Sequence, residues 1–413
     1  MRGFPAAIGP PHVEPRSFSA FWGAPMPFYV ERGEIPRKRH IIFRQPNGEL
    51  YREHLMGTLG FSGPASLLYH IHPPTRVAGT RLLGSVELQP EDDPRLRMRH
   101  FRLAELPDGE SLTVGRTPLL FNADLTISLA TVQAGRHEAA FYRNAQADEI
   151  VYVSEGQGTL ESEFGELPFQ AGDYLVIPRG ILHRYQPQAA AGMIRLLVVE
   201  SSGPVTPPRR YCNEQGQFLE HSPYCERDIR TPQFVPPRDE HGTFELIVKQ
   251  NNVLTAIELD HHPWDVVGWD GYYYPWALSI YDFEPITGRL HQPPPVHQTF
   301  QGPGFVLCSF VPRLFDYHPE AIPAPYNHSN VMSDEVLYYA NEEFMSRKGI
   351  GYGSLTLHPA GLPHGPHPGK AEDSIGKRET RELAVMVDTF RPLTVAAAAT
   401  AVEDSEYERS WLG

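Results

Sequence analysis

The sequence predicts an all-β fold, two jelly-roll barrels in tandem, and three observations carry that prediction. Gly172, Pro178, Gly180 and His183 fit the spacing G-x5-P-x-G-x2-H, and Gly353, Pro359, Gly361 and His364 fit it again. Each copy follows a strand-like segment bearing a glutamate, Glu149 in DEIVYVSEG and Glu335 in DEVLYYANE. The glutamates lie 186 residues apart and the histidines 181 apart, which marks an internal duplication. The composition agrees: 35 Gly and 41 Pro among 413 residues, with 11% aromatics and 41% hydrophobics, suit many short strands joined by turns and exclude a disordered chain. In such a barrel glycines permit the tight turns, proline ends a strand, and alternation sends Glu and His into one lumen.

At 413 residues the chain exceeds the usual size of one core. The expected division is an N-terminal region, 1–200, ending in the first barrel, then linker and surface loops over 201–247, then a second barrel over 248–413. Residues 1–40, proline-broken and carrying the basic cluster RGEIPRKRH, read as an arm over the surface or onto a neighbouring subunit. From His40 to Arg102 short alternating segments read as strands, with a hairpin signal at Asn47-Gly48. ADLTISLATV reads as a half-buried strand before the first barrel block, Phe141 to Gln186. The segment around Trp264, Trp269 and Trp276 is aromatic enough to wall a cavity or cover the second barrel. GFVLCSFVPR and ELAVMVDTF supply further strands, and the tail TVAAAATAVEDSEYERSW predicts a short C-terminal helix.

A net charge of −14 argues against a nucleic-acid partner, since such proteins concentrate Lys and Arg into patches. No apolar run approaches the ~18 residues that span a bilayer, and the N-terminus is too proline-broken for a signal peptide, so the expectation is a soluble, cytoplasmic protein with no membrane partner. Cys212, Cys225 and Cys308 match no C-x2-C spacing and read as reduced thiols.

The repeated pattern is similar to the cupin signature, and two in tandem make a bicupin. In the second copy His328, Glu335 and His364 are the candidate metal ligands. Two histidines and a carboxylate on one face of an octahedron leave positions open for substrate and O2, the arrangement of mononuclear non-heme Fe(II) oxygenases. Strand alternation sends only one of Asp334 and Glu335 into the lumen, and the barrel frame selects Glu335. His358 is a candidate for orienting a ligand or contacting substrate, and His367 reads as exposed. In the first copy no histidine precedes Glu149, so Glu149 and His183 read as structural packing. His70-Ile71-His72 has no carboxylate-bearing strand after it, and reads as ordinary strand histidines.

With PYNHSNVMSDE and LPHGPH in place, the chain resembles the homogentisate 1,2-dioxygenase family, particularly its bacterial members. That resemblance implies a bicupin in which only the C-terminal barrel carries iron, on His328, Glu335 and His364. It assigns the acid/base role to His291 in HQPPPVHQTF, with His297 as competitor, and implies substrate contacts from His364, Asn330, His358 and position 344, where Phe344 stands for the family's tyrosine. It further implies Fe(II), a small aromatic acid and O2 as partners, a homo-oligomer (hexamer or trimer), and ring cleavage of homogentisate to maleylacetoacetate in tyrosine and phenylalanine catabolism. One extra residue between His328 and Glu335 requires the strand to bulge or shift, and Ser329 stands where the family has Arg. The rival readings are ring cleavage of gentisate or a related hydroquinone acid, a non-catalytic bicupin binding protein, and a zinc- or manganese-dependent sugar isomerase. Gentisate enzymes tend to use three histidines, so the carboxylate weighs against the first.

Overall fold

The computed structural model describes residues 28–135, 138–343, 346–347 and 349–412. The first 27 residues of the expected arm, and Phe344, lie outside the described residues. Strands dominate, and three large sheets carry them. An eight-stranded sheet orders Ile229–Arg230, Trp276–Ser279, Asp173–Ile177, Asp148–Glu155, Met193–Ser201, Leu125–Gln133, Thr117–Phe121 and Thr394–Val395. It faces a seven-stranded sheet that includes Gln157–Ser162, Leu182–Pro187, Phe141–Asn144 and His241–Gln250, and together these form the first barrel. A six-stranded sheet, Gln298–Gly302, Phe305–Phe310, Ala384–Thr389, Asp334–Tyr339, Ser354–His358 and Arg99–Arg102, is the main wall of the second. The four glycines of the repeated signature all adopt positive φ, +93° at Gly172, +80° at Gly180, +75° at Gly353 and +93° at Gly361, the region that disfavours other side chains.

Strands cross the expected boundaries. Arg99–Arg102, from the N-terminal region, pairs with Ser354–His358 at the edge of the second barrel's sheet. Trp276–Ser279 and Thr394–Val395, from the C-terminal region, belong to the eight-stranded sheet. One hydrophobic core runs through both halves and includes Tyr152, Tyr174, Phe300, Tyr338 and Leu355. Hydroxyls stitch the same seam: Ser154 Oγ lies 2.6 Å from the Tyr338 hydroxyl, and Tyr174 Oη lies 2.8 Å from Ser309 Oγ. The sheets therefore do not divide at 200 or 248.

Three other expectations take a more specific form. The 201–247 stretch is a packed strap, not a free linker: Tyr211 Oη donates to Gln298 O at 2.6 Å and Tyr224 Oη to Thr299 O at 2.7 Å, fastening it to the second barrel. The aromatic segment leans mainly on the first barrel. Trp264 packs on Phe141 and Trp269 on Phe164, and both tryptophans line a small cavity with Glu161, Glu163 and Phe234. The C-terminal helix is realised as two 3-10 segments, Ala397–Val402 and Tyr407–Arg409. Alanine-rich propensity alone did not secure an α-helix, because Ala399, Val402 and Tyr407 are pinned into the core at short intervals.

Because its sheet borrows Arg99–Arg102 and lends Trp276–Ser279 and Thr394–Val395, residues 248–413 expressed alone should not form a cooperative unit. Circular dichroism and size exclusion should show an unfolded or aggregating fragment, while the full chain melts as one transition.

Candidate metal centre

The second barrel's site is built from a strand and an antiparallel bridge facing it. Asp334–Tyr339 pairs on one side with Ser354–His358 and on the other with Ala384–Thr389, without a register shift. The extra residue between His328 and Glu335 is therefore not absorbed by a bulge in the strand. It is taken up in a turn ahead of it, whose Val331 and Met332 are exposed. Opposite, His328 N donates to His364 O at 2.8 Å and His364 N donates to His328 O at 2.9 Å. This reciprocal pair puts both side chains on one face. Gly365 makes the approach possible, since a Cβ there would lie 2.8 Å from the Cα of Asn327.

Glu335 Oε2 stands 3.6 Å from His328 Nε2 and 3.5 Å from His364 Nε2, and the ligating atoms of all three lie within 4.8 Å of one another. These separations exceed a good hydrogen bond, ~2.7–3.2 Å, and suit donors that share a cation at ~2.0–2.2 Å. The tautomers fit as well. His328 Nδ1 lies 3.1 Å from Tyr326 O and His364 Nδ1 lies 3.3 Å from Leu362 O, so each Nδ1 carries the proton and each Nε2 presents a lone pair. The buried Nε2 of His364 makes no well-formed hydrogen bond of its own. Two neutral imidazoles and a carboxylate, one nitrogen left orphaned, fit a divalent cation.

Behind the cluster, His358 Nδ1 donates to Glu335 Oε1 at 2.8 Å and His358 Nε2 lies 3.1 Å from the Tyr407 hydroxyl. With both nitrogens engaged and the ring fully buried, His358 supports the carboxylate, and its expected contact with substrate is corrected accordingly. Burial opposes ionisation of Glu335, but the imidazoles around it, of which His358 makes the one short hydrogen bond, outweigh it and hold its pKa well below the ordinary carboxylate value. The Glu335 hydrogen bond, chiefly, raises His328, while burial pulls His358 down to about 4.

The neighbouring candidates separate cleanly. Asp334 turns away, its oxygens accepting from Ala360 N at 2.8 Å and Leu393 N at 2.7 Å. Asn330 Nδ2 approaches Glu335 Oε2 at 3.5 Å. His291 is half exposed, with Nδ1 3.2 Å from Asp316 Oδ2, and its ring meets Tyr326 at 5.2 Å, which in turn meets His328 at 6.1 Å. His297 is instead buried against Phe310. His367, expected at the surface, is buried: its Nε2 lies 2.8 Å from Ser410 Oγ and its ring packs on Trp411 at 4.3 Å. The proline-rich HGPH turn looked like surface, but the C-terminal segment folds back over it.

Sequence reasoning missed two contributors. Asp388, paired across the sheet with Glu335, has its pKa pushed up to about 7 by burial and by the Glu335 charge. The lone carboxylate in the apolar run AVMVDTF was the available signal. Arg347, buried in the same region, donates to Gly365 O and stacks its guanidinium 5.5 Å from the Trp411 ring; no spacing pointed to it.

In the first barrel the equivalent glutamate has a different partner. Arg116 grips Glu149 with two hydrogen bonds of 2.8 Å, and Asn144 adds a third of 2.8 Å. Burial would raise Glu149, yet the Arg116 charge brings its pKa down to about 2. His183 Nδ1 lies 3.1 Å from Ile181 O, and Lys249 Nζ donates to Glu200 at 2.7 Å in the same buried network.

Two outcomes follow for stability. Arg116→Ala strands a buried carboxylate and should cost on the order of 3–5 kcal/mol, whereas Arg116→Ala with Glu149→Leu should recover much of that in denaturant titrations. Burial, chiefly, lowers His297 to about 3. Its folded pKa thus lies below its unfolded value of ~6.5, so the stability it contributes is present above pH ~6.5 and is lost on acidification, by at most about 1.4 kcal/mol per pH unit. Chemical denaturation at pH 7 and pH 5 should show that slope in the native chain and a shallower one in His297→Gln.

Residues 103–282 match the family described as homogentisate 1,2-dioxygenase N-terminal. A protein of Saccharolobus solfataricus named "Putative dioxygenase SSO1533" is 43% identical over 94% of this chain and 99% of its own length. The homogentisate 1,2-dioxygenase of Rhodopseudomonas palustris strain BisB18 is 27% identical over 92% of this chain and 90% of its own length. Among solved structures, a cupin 2 conserved barrel domain protein from Leptotrichia buccalis aligns over 74% of this chain and all of its own, at 11% identity and a TM-score of 0.34, a score on which no argument rests. Among the described residues no helix is long and apolar enough to cross a membrane. The sequence match across nearly the whole chain and the two barrels agree: this chain belongs to the homogentisate 1,2-dioxygenase family and is a dioxygenase of bicupin fold.

Proposed function

We propose that the chain cleaves the ring of a hydroquinone acid, homogentisate above others, in an Fe(II)- and O2-dependent reaction that yields maleylacetoacetate. The observation that carries this reading is the cluster itself. His328, Glu335 and His364 converge with their Nε2 and Oε2 atoms toward one point, while His358 holds the far oxygen of Glu335. These three would hold Fe(II), which when bound supplies the redox coupling between an electron-rich ring and O2 that no amino-acid side chain provides.

The chain's own groups then account for binding and proton movement. Asp316 accepts from His291 Nδ1, so His291 Nε2 carries the lone pair and can take the phenol proton, imidazole being the side chain whose pKa lies nearest neutrality. Tyr326 spaces His291 from His328 and gives an aromatic edge for the substrate ring to pack on. Asn330, beside Glu335, offers an amide donor to substrate or O2. Exposed apolar side chains near this region, Tyr326, Val331, Met332, Tyr317 and Ile322, favour a homo-oligomer over a lone chain. A cytoplasmic location suits a ferrous site.

The test is O2 uptake by anaerobically purified, Fe(II)-loaded protein against homogentisate, gentisate and other hydroquinone acids, with the product read by ultraviolet absorbance. Homogentisate should be consumed one to one with O2. Glu335→Ala should lose iron, Asp334→Ala should keep it, and His358→Ala should lower metal affinity or turnover by roughly 10–100-fold. Faster turnover of gentisate would move the reading to that substrate. Protein that holds no iron and consumes no O2 with any of these acids would sink it.

A further inference from the structure

His70 and His72, which the sequence leaves as ordinary strand histidines, are met by partners from distant segments. His54 on Arg52–Gly57 and His70 on Ala65–His70 are diagonal neighbours on one face of the four-stranded sheet, with His54 Nδ1 3.3 Å from His70 Nε2. Glu163 comes to the same point from the turn between Gln157–Ser162 and Gly165–Gln170, and the ligating atoms of the three lie within 4.8 Å of one another. His70 and Glu163 are buried, and His54 is half-buried.

The surroundings fix these groups in a form that donates electron pairs. Asp265, wholly buried, accepts from His70 Nδ1 at 2.7 Å with one oxygen and from His72 N at 2.7 Å with the other. His70 Nδ1 therefore carries the proton and Nε2 presents its lone pair toward His54, the carboxylate–histidine arrangement that backs metal-bound imidazoles. The Glu163 turn is held rigidly: Leu182 N donates to Glu163 Oε1 at 3.1 Å, and Trp269 Nε1 donates to Phe164 O at 2.8 Å. Arg143 lies 3.7 Å from Glu163 Oε1 and tempers its charge, Arg52 stands across the strand pair from His70, and Asp265 adds a second carboxylate behind His70.

We propose that His54, His70 and Glu163 form a second metal site, in the first half of the chain, that takes a zinc-class divalent cation and ties the small sheet to the hairpin of the first barrel. Two imidazoles and one carboxylate match the preference of such cations for nitrogen and oxygen donors and leave one position for water. This site is separate from the His328–Glu335–His364 cluster and does not depend on the reaction assigned there.

The test uses the full-length chain carrying His364→Ala, which disables that other cluster, stripped with chelator and titrated with Zn(II) against a chromogenic chelator. One Zn(II) per chain should bind. Adding His54→Ala, or the shape-preserving Glu163→Gln, should weaken it at least about tenfold, while adding His72→Ala should leave it unchanged. Near-ultraviolet circular dichroism, dominated by the buried aromatic side chains, checks that each variant is folded. Absence of Zn(II) binding in the His364→Ala chain would overturn the proposal. So would binding indifferent to both His54→Ala and Glu163→Gln, or lost instead in His72→Ala, which would assign it to the surface group His72, Asp239 and His241.

Discussion

The second barrel depends on keeping one carboxylate ionised where water cannot reach it. Glu335 sits on a strand whose six residues are all buried, and desolvation alone would neutralise it. His358, from the adjacent strand behind, donates to one of its oxygens, and His328 and His364 face the other from the bridge on the open side. A buried anion whose partners are themselves neutral bases is an incomplete arrangement, and a cation completes it. The same geometry explains why the histidines on the open side have their Nδ1 atoms turned to backbone carbonyls. It also explains why His358, having none, is anchored on Tyr407.

The duplicated barrel meets the same constraint by another route. Glu149 and Glu335 occupy corresponding places in their strands, and both are buried and ionised. In the first barrel the compensating charge is covalent to the chain. Arg116 fills the lumen, meets both oxygens of Glu149, and is itself walled by Tyr142. A guanidinium in that position makes a permanent structural pair. The two barrels thus differ both in the guanidinium at Glu149 and in the missing histidine ahead of it.

How much of this was legible follows from how local each feature is. The repeated Gly-Pro-Gly-His spacing names turn positions, and the positive φ at each of its glycines is the physical reason it could be read. The choice of Glu335 over Asp334 needed only the period of a strand. Features that depend on segments distant in sequence were not readable. Arg116 lies 33 residues before Glu149 with no periodicity to tie them. His367 sits in a stretch that looks like an exposed turn until Tyr407 and Trp411 return over it. The extra residue before Glu335 was assigned to the strand, yet an exposed turn absorbs an insertion at less cost than a ladder of hydrogen bonds, so Val331 and Met332 carry it. Strands cross the expected domain limits for a related reason: sequence order suggests contiguous units, whereas edge strands are recruited from wherever an unpaired edge lies.

That recruitment bears on the site. Ser354–His358, which carries His358, would be the exposed edge of the second barrel's sheet were Arg99–Arg102 not paired against it. The covering strand is then locked by charge: Arg99 is paired with both Glu91 and Glu403, and His100 Nε2 lies 2.9 Å from Ser354 Oγ. Glu403 begins the segment that supplies Tyr407 to His358 and Trp411 to His367. The N-terminal region, the C-terminal tail and the strand bearing His358 thus form one interlocked layer behind Glu335. A carboxylate that must hold its position without water benefits from such a layer, because a small slip of His358 would free one Glu335 oxygen and swing the other away from His328 and His364. Rigidity around the centre is in this way drawn from both ends of the chain.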